Sequence, residues 1–166
     1  MSAPSAVTPH PDLGRLSALL GTWRGRGDGH YPTIEPFAYL EEVVFSHVGR
    51  PFLAYLQRTR HPDAGTPMHA EAGYLRPVPD GRVEWVLAHP TGIVEVEEGA
   101  VGDDGGVLTL ALAATTVAGT ATAKAVRTLR RTLRVEGDVL RYDLWMGHGD
   151  VVDGHHLSAT LERVDA

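Results

Sequence analysis

From about residue 36 onward, apolar and polar residues mostly alternate with a period of two, the spacing of half-buried strands rather than of helices. The pattern predicts strands over Tyr39 to Val48, Phe52 to Arg60, His69 to Pro77, Arg82 to His89, Ile93 to Gly99, Val107 to Thr116, Lys124 to Glu136, Val139 to Gly147 and His155 to Val164. A further strand begins earlier, at Gly21-Thr22-Trp23. Turn residues separate these runs: Gly49-Arg50-Pro51, Pro62-Asp63-Ala64-Gly65, Pro79-Asp80-Gly81, Asp103-Asp104-Gly105-Gly106 and Gly137-Asp138. The connections are short enough for sequential antiparallel pairing. One segment, Asp12 to Leu20, carries Leu13, Leu16, Leu19 and Leu20 at helical spacing and predicts a short N-terminal helix.

Roughly ten short strands in one domain form either a sandwich or a closed barrel, and closure removes the exposed edges that invite aggregation. Several strands concentrate large apolar residues at one parity: Val83, Trp85 and Leu87; Leu108, Leu110 and Leu112; Leu140, Tyr142, Leu144 and Met146. A barrel enclosing an apolar ligand accounts for that pattern. The opposite parity also holds Val86, Ala88, Ala111 and Trp145, so alternation by itself does not assign interior and exterior. The expected organisation is a disordered tail over residues 1–11 and a single domain over 12–166.

The chain has 166 residues, within the size of one domain with one core, and no cysteine, so packing and backbone hydrogen bonds alone must hold it. The opening residues have no basic start followed by an apolar run, and no stretch of about eighteen apolar residues follows, so neither a signal peptide nor a membrane span is expected. A cytoplasmic location fits these features. A net charge of −6 offers nucleic acid or an anionic membrane no basic footprint.

Gly21, Trp23, Gly25 and Gly27 form a Gly-x-Trp-x-Gly-x-Gly run directly after the helical segment. Its first reading is structural: glycines for close backbone approach, and an indole plugging the closed end of a barrel. Glu95, Glu97 and Glu98 read as a solvated hairpin face rather than a metal site. The adjacent histidines His155 and His156 open the last strand. Parity puts His155 with Leu157, Ala159 and Leu161 and puts His156 with Ser158, Thr160 and Glu162, so an apolar-inside rule selects His155.

Six segments, LGTWRGRG, HYPTIEPFAYLEEVVFSHVGRPFLAY, HAEAGYLR, LAHPTGIVEVEEG, TATAKAV and the terminal HHLSATLERV, resemble the nitrobindins in order and spacing over nearly the whole chain. The resemblance implies an all-β fold, an antiparallel up-and-down barrel of about ten strands similar to lipocalins and fatty-acid-binding proteins, with the short N-terminal helix. It implies one haem b per subunit with a proximal histidine directly before a leucine, which here is His156; polar neighbours would supply the partner its other nitrogen needs. By the same resemblance Thr33 and Lys124 approach the haem, with Lys124 a partner for a propionate, His69 lies on the distal side, and Trp145 and Met146 face the pocket. The implied chemistry is binding of nitric oxide and, in the ferric form, isomerisation of peroxynitrite to nitrate. Two other classes stay open: a carrier of fatty acids or other apolar molecules, since such barrels host many ligands, and a metal-dependent hydrolase, although neither a Gly-x-Ser-x-Gly elbow nor a His-Glu-x-x-His pair is present. An isologous homodimer is compatible with a barrel of this size, and no patch in the sequence is diagnostic of one.

Overall fold

The computed structural model describes residues 7–164. A short 3-10 helix, Pro11–Leu19, precedes ten strands: β1 Gly21–Tyr31, β2 Ile34–Ser46, β3 Leu53–Arg60, β4 Pro67–Val78, β5 Arg82–Ala88, β6 Ile93–Asp104, β7 Val107–Gly119, β8 Val126–Glu136, β9 Val139–His148 and β10 Val151–Val164. Each strand pairs antiparallel with its neighbours in sequence, and β1 pairs with β10, so the sheet closes into an up-and-down barrel without a free edge. The first six residues of the expected tail lie outside the described residues, and Pro11 already belongs to the helix.

The expected helix is present but is not an α-helix. Leu13, Leu16 and Leu19, all buried, recur every third residue, which matches the three residues per turn of a 3-10 helix. Gly14, at φ 49°, breaks the segment into two pieces. The three leucines enter the core beside Trp23, whose indole N–H donates to the Leu19 carbonyl at 2.7 Å, so helix and indole close one end of the barrel together. The Arg163 guanidinium carbon lies 4.1 Å from the Trp23 ring centroid, covering its outer side.

Strand cores agree with the alternation, and strand ends run further. β2 starts at Ile34, β6 reaches Asp104, β7 reaches Gly119 and β10 begins at Val151, because backbone pairing continues past the last buried residue. β8 instead starts at Val126, two residues after Lys124.

The glycines of β1 mark close approach. A Cβ on Gly25 would press into the Thr160 carbonyl and lie 2.8 Å from Leu161 Cα, and one on Gly27 would enter the Tyr39 ring. The Gly25 neighbours are backbone atoms and cannot rotate away. Gly25→Ala is therefore expected to cost at least about 2 kcal/mol in urea unfolding; a change within about 0.5 kcal/mol would show that β1 and β10 can separate freely.

Candidate functional site

The end of the barrel away from the Trp23 plug encloses a cavity of about 690 Å³, a volume suited to a drug-sized or cofactor-sized ligand. Its rim carries Thr33, Ile34, Met68 and Lys124, its upper wall is mostly apolar, and its floor is charged.

His156 reaches this cavity because β10 is irregular. Pairing with β9 runs His155↔Trp145 and then Leu157↔Leu144, leaving His156 as the extra residue of a β-bulge. The bulge lets the consecutive residues His156 and Leu157 both line the cavity. His156 Nδ1 lies 3.0 Å from the His30 carbonyl oxygen. A carbonyl only accepts, so Nδ1 carries the proton and Nε2 of the neutral ring keeps its lone pair. Tyr31 stands edge-on to the imidazole at a centroid separation of 5.3 Å, with Phe37 at 6.4 Å. Burial lowers the His156 pKa against the opposing pull of the His30 carbonyl, which favours the neutral ring.

His155 turns outward instead. Its Nε2 is 2.8 Å from Asp143 Oδ1, its Nδ1 is 3.3 Å from His30 Nε2, and its ring packs against Trp145. The parity rule that selected His155 assumed an unbroken strand. Trp145 also departs from expectation: it does not line the cavity, and the Arg130 guanidinium stacks on it 3.7 Å from the ring centroid. Thr33, Lys124, His69 and Met146 do line it.

The floor of the cavity is a buried polar network. Arg131 donates to Glu71 at 3.1 Å, Glu95 at 2.9 Å and Glu97 at 3.0 Å, and lies over the Trp85 ring. Glu71 also accepts from the Tyr55 hydroxyl at 2.6 Å. Beside them Glu41 accepts from Gln57 Nε2 and the Tyr142 hydroxyl, both at 2.9 Å, and Tyr142 joins Tyr39 at 2.9 Å. Glu95 and Glu97 are 1% and 0% exposed, which corrects the expectation of a solvated acidic face; of the three acids only Glu98 is exposed. β6 turns its carboxylates inward because Arg131 waits there, and it leaves Val94 exposed.

This network sets several protonation states. Burial opposes ionisation of Glu71, but Arg131 and His89 outweigh it and hold the carboxyl below its ordinary range. Arg131 is pushed the other way: burial disfavours its charge, yet Glu97, Glu71 and Glu95 raise its pKa. Burial lifts Glu41 from 4.5 to about 7, only partly offset by its bonds from Gln57 and Tyr142. Between those values the folded chain keeps a proton that the unfolded chain has released, so this group's contribution to stability falls as pH rises through the window. Glu41→Gln should therefore gain on the wild type by about 3 kcal/mol as pH climbs from 4.5 to about 7. Paired urea unfolding curves at successive pH values check this, and a constant difference across the window would refute it.

Sequence reasoning missed most of the floor: Glu41, Tyr55, Gln57, Glu71, His89, Arg131 and Tyr142. The available signal was parity, since Glu41 shares its face of β2 with the cavity-lining Tyr39 and Val43, and Arg131 shares its face of β8 with the cavity-lining Leu129 and Leu133. Gln57 Oε1, Trp85 Nε1, Glu95 Oε2 and Glu97 Oε2 are buried without a protein hydrogen-bond partner among the described residues.

Comparison with known proteins extends this picture. The profile of the THAP4-like, heme-binding beta-barrel domain matches residues 12–163. Peroxynitrite isomerase 2 of Mycobacterium ulcerans (strain Agy99) is 56% identical over 154 residues, 93% of this chain and 96% of that protein. Peroxynitrite isomerase of Nocardia farcinica (strain IFM 10152) is 52% identical over 159 residues, 95% of this chain and 94% of that protein. Among solved structures, Rv2717c from M. tuberculosis superposes with a TM-score of 0.92 at 49% identity, covering 95% of this chain and 100% of that one. The S-type phycobiliprotein lyase CPES from Guillardia theta matches with a TM-score of 0.62 at 8% identity over 92% of each chain, a likeness of fold alone.

Proposed function

The chain belongs to the nitrobindin family of THAP4-like haem-binding β-barrels, and on that premise we propose that it is a haem-dependent peroxynitrite isomerase that also binds nitric oxide, with haem b held in the cavity by His156. The observation that carries the reading is the imidazole of His156: half-buried, neutral, anchored at Nδ1 by the His30 carbonyl and lining the cavity. An anchored second nitrogen is the usual support of a metal-ligating histidine. The rest of the donor set fits as well. Phe37, Leu144 and Leu157 offer apolar contact to a macrocycle, and Lys124 at the rim offers a cation to a propionate.

Haem supplies the iron at which small nitrogen oxides are taken up and peroxynitrite is rearranged to nitrate. Peroxynitrite and nitrate share the same atoms and the same charge, so the chain has to supply no net proton or electron. Its task is to position and to shield. His156 would hold the group through Nε2, and its own ring is fixed by the His30 carbonyl and by Tyr31, whose hydroxyl donates to the Met146 carbonyl at 3.0 Å. Thr33 and Lys124 act at the rim, and His69 stands on the wall as a polar neighbour of the reacting ligand.

The floor argues against the carrier of fatty acids. Arg131 is committed to three carboxylates, and a fatty-acid carboxylate brought to it would meet Glu71, Glu95 and Glu97 at close range. No helix among the described residues is long and apolar enough to cross a membrane.

The test is a haem titration followed by stopped-flow mixing with peroxynitrite. Saturation at one haem per chain, with faster peroxynitrite decay and nitrate as the product, is expected. Absence of haem uptake by the folded protein would overturn the reading, and so would nitrite in place of nitrate.

A further inference from the structure

His69 near the start of β4, Glu71 two residues on and His89 just beyond β5 bring three ligand-type atoms to one point of the cavity wall. In the barrel order β5 is halfway round the ring from β10, which carries His156. His89 Nδ1 lies 3.1 Å from His69 Nε2 and 3.4 Å from Glu71 Oε2, and the three atoms are all within 4.8 Å of one another. Ligands about 2.0–2.2 Å from a tetrahedral metal ion stand roughly 3.4 Å apart, so the first two separations are already those of a coordination sphere.

The atoms of His89 and Glu71 that point away are satisfied. His89 Nε2 is 2.7 Å from Glu95 Oε1, a carboxylate behind a histidine, which orients the ring and, whenever the ring is neutral, leaves Nδ1 free to ligate. Glu71 Oε1 is held by the Tyr55 hydroxyl and by Arg131, leaving Oε2 facing His89. His89 Nδ1 and Glu71 Oε2 thus face each other at 3.4 Å, with His69 Nε2 3.1 Å from the same Nδ1, an arrangement that either a proton or a bound cation holds together. A second feature points the same way: Glu95 Oε2 has no partner although the residue is 1% exposed and lines the cavity. Around this point three carboxylates face a single guanidinium.

We propose that His69, Glu71 and His89 form a site for a divalent transition-metal ion of the zinc class, distinct from the haem ligand His156 and held by two imidazoles and one carboxylate. That donor set suits zinc, ferrous iron or cobalt and is unlike the all-oxygen shells of calcium or magnesium. The three ligands lie on one wall, so the remaining coordination positions open into the cavity where small anions enter. The site needs no haem to form, and its failure would leave the haem reading untouched.

The experiment is calorimetric titration of Zn2+ into the full-length protein after chelator treatment, with haem and as His156→Ala. One Zn2+ per chain is expected, retained in His156→Ala and in His155→Ala, and weakened at least about tenfold in His69→Ala and in His89→Ala. Circular dichroism establishes that the variants are folded; if the alanine variants are not, His69→Gln and His89→Gln take their place. Co2+ adds a readout on the wild type and His155→Ala: intense visible bands of a four- or five-coordinate ion support the site, and weak octahedral bands overturn it. Absence of Zn2+ uptake overturns it, as a proton on His89 then satisfies the cluster. Uptake that survives loss of His69 and His89 but is lost in His155→Ala also overturns it, assigning the metal to the outer group of His30, Asp143 and His155.

Discussion

His156→Ala should abolish stoichiometric haem uptake and slow catalysed peroxynitrite decay by at least about a hundredfold, equivalent to about 2.7 kcal/mol of lost transition-state stabilisation. The size follows from the lack of a substitute. His155 is adjacent in sequence but faces outward, its two nitrogens already engaged by Asp143 and His30. His69 and His89 line the cavity but are bonded to each other at 3.1 Å, and His89 also to Glu95. His155→Ala should therefore keep full haem occupancy and activity. Added imidazole should restore part of the Soret band in His156→Ala, because the substitution leaves a gap the size of the lost ring. An unchanged Soret spectrum and unchanged turnover in His156→Ala would remove this residue from the site.

The second large effect belongs to Arg131. Arg131→Met keeps much of the side-chain volume and removes the charge, leaving Glu71, Glu95 and Glu97 buried without their cation. Breaking a buried ion pair on one side costs about 3–5 kcal/mol. Against a typical total of about 5–15 kcal/mol, the variant would keep its fold by a narrow margin. The loss should depend on pH with a defined sign. In the wild type, Arg131 and His89 override burial and depress the Glu71 pKa, so this stabilisation is present above the ordinary carboxylate range and fades as pH falls through it. The deficit of Arg131→Met should accordingly be larger at neutral pH than in mild acid, where the orphaned carboxyls take up protons. Urea unfolding at several pH values measures it. A deficit under about 1 kcal/mol, or one that grows in acid, would mean that the network is not held by this charge.

Much of the fold was legible because the alternation reports a physical fact: ten strands each turn one face to a shared interior. Val83, Trp85 and Leu87 on β5 and Leu108, Leu110 and Leu112 on β7 are buried as their parity requires. Trp23 fills the closed end as its glycine-flanked position suggests. The rule fails where a polar residue has a reason to be inside. On β6 the inward face is Glu95 and Glu97, and the carboxylates' partner is Arg131, distant in sequence, so no local window could reveal the compensation. Backbone irregularity is the other limit. The bulge between His155 and Leu157 shifts the parity of both histidines relative to Leu157, and only the count of partners on β9 exposes it. The helix was visible in Leu13, Leu16 and Leu19, but its type depended on telling a spacing of three from one of 3.6 across nine residues.

The tandem histidines of β10 have a consequence for anyone trimming this chain. Deleting either His155 or His156 gives the same polypeptide, in which Gly154 is followed by one histidine and then Leu157. The His-Leu step survives. Yet the extra residue that made the bulge is gone, and with Leu157 and Ala159 holding their inward places the remaining imidazole must point to solvent. A one-residue deletion that keeps the His-Leu step is thus expected to abolish haem uptake, whereas inserting a residue just after the surviving histidine should give the ring its way back inside.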